Sequence, residues 1–267
     1  MIDLHSHIFY GFDDGAQSLE ESIEMARIAA ADGIEKIVGT PHLFRGDFKG
    51  VEIGAIRERR AELEHHLKRE KIDIEVYAGA EVHISHNLID EIRRHREILT
   101  VNNSSYMLLE FPSNHIFPGV KDLFFQIESE EIEPIIAHPE RNSVFRKNPV
   151  LLYELIEMGA LVQANRGSFQ GRFGSSIRDA AFQFLDWNFI HFIGSDAHNV
   201  RSMSPQLADT FRMIAERIGK ERAYALVWDN PQAVLSNDVI PYRTDPVYPV
   251  REEKSFKIKL PRIIRKK

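Results

Sequence analysis

Short apolar runs alternate with longer stretches in which apolar positions recur every three or four residues, and these two periods predict strands and helices in succession. The first run, Ile2 to Leu4, leads into His5 and His7. Ser18-Leu-Glu-Glu21 reads as a capping box, Ile23, Ala26 and Ala30 follow at helical spacing, and Gly33 supplies a stop. A strand at 34–39 ends in Thr40-Pro41-His42, and a charged helix at 56–68 precedes a strand at 72–78 that runs into Gly79-Ala80-Glu81. After a short helix at 88–96, strands at 106–109, 134–137, 161–164 and 190–193 lead into Glu110, His138, Asn165 and Gly194-Ser195-Asp196-Ala197-His198. Helices are predicted near 120–130, 149–158 and 177–187, a Gly-rich loop carries Gly167, Gly171 and Gly174, and the chain reads as helical from about 205 to 236.

Seven buried-type strands, each followed by a helix, predict an α/β fold whose parallel sheet is closed or nearly closed into a TIM-like barrel. An open doubly wound sheet fits the alternation equally well. The polar residues favour the barrel, because six of the seven strands present a His, Asp or Glu at the carboxyl end, where barrel active sites lie. No linker breaks the pattern before Pro241, so one domain at 1–240 and a tail at 241–267 are expected.

Those strand ends supply His5, His7, Asp13 or Asp14, His42, Glu81, Glu110, His138, Asp196 and His198, all nitrogen or oxygen donors. Side chains at i and i+2 of a strand share a side, so His5 and His7 can enter one pocket. The set suits zinc, manganese or iron and exceeds the needs of one ion, about four ligands for tetrahedral zinc or about six for an octahedral ion. Two or three metals bridged by a carboxylate are implied. Each residue alone has a plainer role: His42 could cap a loop, Glu110 pair with an arginine, Asp196 cap a helix. Gathered at a barrel mouth without cations, however, they would be electrostatically costly.

Composition narrows the classes further. The 267-residue chain has no cysteine, which excludes disulfides, thiolate sites and thiol nucleophiles. Residues 251–267 carry eight Lys/Arg and two Asp/Glu; with a net charge of −6 overall, the remainder sums to −12. An acidic body argues against nucleic acid as a partner. The basic tail suits weak contact with an anionic membrane surface, at about 1 kcal/mol per basic residue. No apolar run approaches the roughly 18 residues of a membrane span and no signal peptide is evident, so a cytoplasmic protein is expected.

The motifs His5-x-His7 with Asp13-Asp14-Gly15, Thr40-Pro41-His42, Gly79-Ala80-Glu81, Leu109-Glu110-Phe111, His138-Pro139-Glu140-Arg141-Asn142 and Ser195-Asp196-Ala197-His198 resemble the polymerase and histidinol phosphatase (PHP) superfamily. Within it the chain is most similar to the bacterial protein-tyrosine phosphatases of capsule and exopolysaccharide operons, the CpsB/YwqE type, from Met1 to about Ser236. The resemblance implies a distorted (β/α)7 barrel with three divalent ions at its C-terminal face, manganese or iron rather than magnesium. His5, His7, Glu81 and Asp196 would hold one ion, with Glu81 bridging. Glu110 and His138 would complete a second, and Asp14, His42 and His198 would hold the third.

The implied reaction is hydrolysis of phosphotyrosine by metal-activated hydroxide without a covalent intermediate, on the tyrosine-rich tail of a bacterial tyrosine autokinase that regulates polysaccharide synthesis. Arg141, three residues beyond His138, is placed to clamp the phosphoryl group. Arg201, in Asn199-Val200-Arg201-Ser202-Met203, stands near where a second rim arginine is expected, with its register shifted. Phe9, Tyr10 and Phe44 are candidates to flank an aryl ring. The alternatives are a histidinol-phosphatase-like small-molecule phosphomonoesterase and a non-catalytic barrel that binds phosphotyrosine or a partner. Phosphodiesterase action is disfavoured by the acidic body, and formation of a homo-oligomer is left open.

Overall fold

The computed structural model describes residues 1–46 and 54–249. Its strands are β1 (Ile2–Ser6), β2 (Lys36–Gly39), β3 (His42–Leu43), β4 (Glu75–Ala78), β5 (Glu81–His83), β6 (Tyr106–Glu110), β7 (Glu133–Ala137), β8 (Leu161–Asn165) and β9 (Phe192–Gly194). Every strand pairing among the described residues is parallel, in the orders β1-β2-β4 and β3-β5-β6-β7-β8-β9. Parallel neighbours need long crossovers, and the intervening helices supply them.

The second and third expected strands end at Gly39 and Ala78, but each passage resumes beyond a short break, so they appear as β2 plus β3 and β4 plus β5. Pro41 has no N–H to give a ladder, and Gly39 lies so close under the Phe9 ring that a Cβ there would sit 2.2 Å from it. Pairing nevertheless continues across the break: Gly79 N–H donates to Gly39 O (3.0 Å) and Glu81 N–H to Pro41 O (3.1 Å). His42 and Glu81 resume their strands directly opposite each other. At the other margin, Asp196 N–H donates to His5 O (2.9 Å) and His7 N–H to Ala197 O (2.8 Å), and Ser6 bridges Ala197 in parallel.

Alternation then sorts the side chains. Ile2, Leu4, Val38, Tyr106, Leu108, Ile135, Leu161 and Phe192 form one buried cluster, covered by Val234 and Leu235 of the helix Asn230–Ser236. Met107, Leu109, Ile136, Val162 and Ile193 point the other way, into a larger cluster shared with the surrounding helices. Continuing the first face of β6 and β8 toward the carboxyl ends, Leu108 gives way to Glu110, and Leu161 to Gln163 and Asn165. One file of positions thus carries both the core and the polar end.

The first helix, Leu19–Ala31, is capped as its sequence suggests, with Ser18 Oγ accepting from Glu21 N–H (3.3 Å). The Glu21 carboxylate, however, reaches Gln17 N–H (3.0 Å), one residue earlier than a standard box. Gly33 follows the helix at φ +87°, the left-handed conformation that favours glycine. The expected Gly-rich loop contains a short helix, Arg166–Phe169. Another, Ser143–Lys147, starts where Asn142 Oδ1 accepts from Val144 and Phe145 N–H.

The first residues of the expected tail lie against the body: Asn230 brackets the backbone of Tyr242 with two hydrogen bonds, and Val247 N–H donates to Trp187 O (2.8 Å). The basic 251–267 stretch, and with it the membrane-surface expectation, lies outside the described residues. Among the described residues no helix is long and apolar enough to cross a membrane.

Candidate metal centre

Among the described residues three groups of side chains each offer donor atoms within 4.8 Å of one another: His5, His7, Glu81 and Asp196; His7, Asp14, His42 and His198; and His42, Glu81 and Glu110. They overlap at His7, His42 and Glu81, so they form one cluster. The four members of the first group are buried. Asp14 is about half exposed, with Oδ1 3.5 Å from His198 Nε2 and 3.7 Å from His42 Nε2. His138 falls outside the three groups but stands beside them, Nε2 2.9 Å from Glu81 Oε1.

The donor atoms face one another in a manner that hydrogen bonding does not explain. Glu81 Oε2 is buried without a hydrogen bond, although it lies 2.9 Å from His42 Nδ1, 3.3 Å from His5 Nε2 and 3.4 Å from His7 Nε2. The two Nε2 atoms of His5 and His7 are 3.3 Å apart. Buried polar atoms normally have partners. Nitrogen and oxygen atoms converging on a common point without donor–acceptor geometry fit a cation there, and the donor types suit a divalent transition metal.

Neighbouring residues orient these donors. Asp13 and Asp14, which the sequence leaves as alternatives, occupy different places: Asp13 Oδ2 accepts from His7 Nδ1–H (2.6 Å) and from His42 N–H (2.8 Å), behind the imidazole. It therefore turns His7 Nε2 toward the cluster, the usual arrangement for a metal-ligating histidine. Asp13→Asn is expected to weaken divalent-cation binding about 10- to 100-fold through His7, measured by competition with a chromophoric chelator. Asp14→Asn should affect only the group containing His42 and His198, and the reverse pattern would exchange the two roles.

Protons are the alternative to cations in this cluster. Burial pulls the His5 pKa down, but the Glu81 and Asp196 carboxylates more than offset it and hold His5 up at about 9. His7 is likewise held well above its ordinary value: burial opposes this, and Asp13, Asp196 and Glu81 together outweigh it. Glu81 and Asp196 are driven well below the carboxylate range; burial resists, and the facing histidines win.

A cavity of about 330 Å³ opens beside the cluster. Glu110, His83 and His138 line it, together with Arg45 and Arg141. Arg141 donates to Asp196 Oδ2 (2.7 Å) and lies over the Phe173 ring at 4.6 Å. Glu140, its neighbour in sequence, is not its partner: it is buried and accepts from Ser168 Oγ and Asn165 N–H. Arg201 is exposed in its loop and does not line this cavity.

Arg45 is a residue that sequence reasoning missed. It places a guanidinium nitrogen 2.7 Å from His42 Nε2 and 3.7 Å from Glu110 Oε1. The available signal was a repeated spacing, since His42 and Arg45 stand three apart as His138 and Arg141 do. The aromatic walls are also not the expected ones: Phe111 and Phe145 line the cavity. Phe9 is buried over Gly39, the Tyr10 hydroxyl donates to Glu62 (3.0 Å), and Phe44 packs against the main core.

The chain is similar to known proteins along most of its length. The chain is 38% identical over 256 residues to the tyrosine-protein phosphatase YwqE of Bacillus subtilis, covering 96% of this chain and 99% of that one. It is 31% identical over 245 residues to the tyrosine-protein phosphatase CpsB of Streptococcus pneumoniae, covering 90% of this chain and all of that one. A crystal structure from work on YwqE from Bacillus subtilis and CpsB from Streptococcus pneumoniae, "unique metal-dependent tyrosine phosphatases", superposes with a TM-score of 0.88 at 36% identity, over 94% of this chain and 100% of that one. Histidinol phosphate phosphatase from Lactococcus lactis, at 15% identity and a TM-score of 0.52 over 84% of this chain and 94% of that one, shares the fold. The model of the family described as "Capsular polysaccharide synthesis, CpsB/CapC" matches residues 1–236, and with these identities the chain belongs to the CpsB/CapC family.

Proposed function

We infer that the chain is a metal-dependent protein-tyrosine phosphatase whose seven strand passages close into a distorted barrel, with β1 joined to the segment after β9 by the bonds from Asp196 and His7. The observation that carries the functional reading is the overlap of three donor groups at shared side chains, two of them meeting at the buried Glu81, whose Oε2 has no hydrogen bond. His5, His7, Glu81 and Asp196 would hold one ion; Glu81, Glu110 and His138 a second; Asp14, His42 and His198 a third. The donors suit manganese, iron or zinc. Divalent cations bound there lower the pKa of water and neutralise phosphate oxygens.

The chain's own residues do the rest. The Arg141 guanidinium, held by Asp196 and Phe173, presents its remaining N–H groups to a phosphoryl group in the cavity. Arg45 faces the same cavity from the segment after β3. Phe111 and Phe145 offer an aryl ring an apolar wall. A phenolate of solution pKa about 10 leaves with less protonation than an alkoxide needs. The names of the relatives and the family description support a phosphotyrosine protein of capsule synthesis as substrate, and we assign the chain to the cytoplasm with a bacterial tyrosine autokinase as its partner.

The test is elemental analysis of protein purified without added metal, coupled to hydrolysis of a phosphotyrosine peptide and of an alkyl phosphate monoester. Co-purifying manganese or iron, loss of activity on chelation and preference for phosphotyrosine are expected. Preference for the alkyl ester would move the chain to the small-molecule phosphomonoesterases, and full activity of His5→Ala and His138→Ala would remove the site.

A further inference from the structure

Of the strands that line the cluster, β8 ends in no charged or imidazole side chain; its inward file carries Gln163 and Asn165. Both are buried, and both touch the cluster. His5 Nδ1–H donates to Gln163 Oε1 (2.7 Å). The amide nitrogen of Gln163 is committed elsewhere, donating to Ala164 O (2.7 Å) and Asn165 Oδ1 (2.9 Å). With its oxygen thus occupied, Asn165 turns its nitrogen to Asp196 Oδ2 (2.7 Å). A second donor, Arg141, reaches that same oxygen. Asp196 Oδ1 is left facing His5 Nε2 and His7 Nε2 at 3.3 and 3.4 Å.

We propose that Gln163 and Asn165 are positioning residues for the cation site: a pair of side-chain amides, each fixing the other's polarity, that holds His5 in its Nδ1–H tautomer and reserves Asp196 Oδ1 for ligation. The chain of bonds has one consistent direction. Reversing the Gln163 amide would place N–H against His5 Nδ1–H and oxygen against Ala164 O and Asn165 Oδ1, opposing like groups at every contact. The space for this amide comes from β9, where Gly194 stands so close that a Cβ would lie 2.7 Å from Gln163 Nε2 and 3.0 Å from His5 Cβ. No carboxylate is used on β8, so the pair orients His5 and Asp196 without adding negative charge to a face already holding Glu81, Glu110 and Asp196. Partners behind a ligating histidine fix its ring and tautomer and typically influence metal affinity 10- to 100-fold.

This rests on reading the cluster as a metal centre, and the experiment separates the two. Binding of Mn2+ is measured by chelator competition for the wild-type protein and for Gln163→Leu, Gln163→Glu and Asn165→Leu, with near-ultraviolet circular dichroism as the check on folding. The two leucine variants are expected to bind about 10- to 100-fold more weakly, and Gln163→Glu, which keeps an acceptor for His5 Nδ1–H but loses the N–H groups that hold Ala164 O and Asn165 Oδ1, to fall between wild type and Gln163→Leu. Wild-type affinity in a folded leucine variant, or equal losses in Gln163→Glu and Gln163→Leu, would overturn the proposal and leave Gln163 a packing residue. Failure of the wild-type protein to bind Mn2+ would instead overturn the metal-centre reading and this inference with it. A measurement independent of any variant is the His5 tautomer in zinc-loaded wild-type protein, from long-range 1H–15N correlations. A proton on Nδ1 is expected, and a proton on Nε2 overturns the assignment.

Discussion

Glu81→Gln is expected to lower phosphotyrosine hydrolysis about 1000-fold and to leave the protein with fewer bound ions, while Glu110→Gln loses a single ion. Glu81 belongs to two of the three donor groups, whereas Glu110 belongs to one. An amide of the same size fills the same space, but it cannot bridge two cations, and it turns an N–H toward imidazoles or metal. Removing several kcal/mol of charge stabilisation from the transition state costs about tenfold per 1.4 kcal/mol, which gives the factor stated. Ion counts by elemental analysis on the same samples used for kinetics check it. A Glu81→Gln protein that keeps its full complement of ions would show that the carboxylate is only a partner for His138 and His42.

Between pH 6.5 and 9 the chelated protein is expected to lose thermal stability while the cation-loaded protein gains it. His5, with a folded-state pKa of about 9 against an ordinary 6.5, binds a proton in that window that the unfolded chain does not. The stability this contributes is complete below pH 6.5 and is lost as pH rises through about 9. Cations must displace the same proton, and that of His7, so their affinity rises by about tenfold per pH unit for each proton released. Ligand stabilisation grows with affinity and carries the loaded protein the other way. Glu81 and Asp196, both driven well below the carboxylate range, remain ionised throughout and cancel from the comparison. Melting temperatures at the two pH values, with chelator and with excess Mn2+, check the divergence; parallel curves would sink the metal reading.

The donors were legible because apolar strands that stop abruptly at a His, Asp or Glu leave a local mark in the sequence, as Ile135-Ile136-Ala137 does before His138. Orientation left no such mark. Asp13 and Asp14 are neighbours of identical chemistry, and only the backbone path decides that one stands behind His7 while the other faces His42 and His198. Gln163 sits inside an apolar strand, and a neutral amide carries no sign of which atom it will present. Pro41 and Gly79 were visible as punctuation, yet they looked like strand ends because pairing that resumes beyond a break is a tertiary fact. Arg45 depended on the course of the chain after β3.

His138 and Asp196 adopt φ values of +33° and +51°, on the left-handed side of the backbone map, which histidine and aspartate enter more often than most residues but which glycine and asparagine tolerate best. Such backbone costs about 1 to 3 kcal/mol at each position and persists only where the surroundings impose it. Glycine or asparagine would relieve the strain at either place, and at Asp196 would also remove a buried charge, so selection for stability and selection for turnover pull in opposite directions at the same two codons. A lineage that no longer needed the activity would be released first at these positions, and a glycine or asparagine in either would be an early signature, within the family, of a fold kept after its chemistry was abandoned.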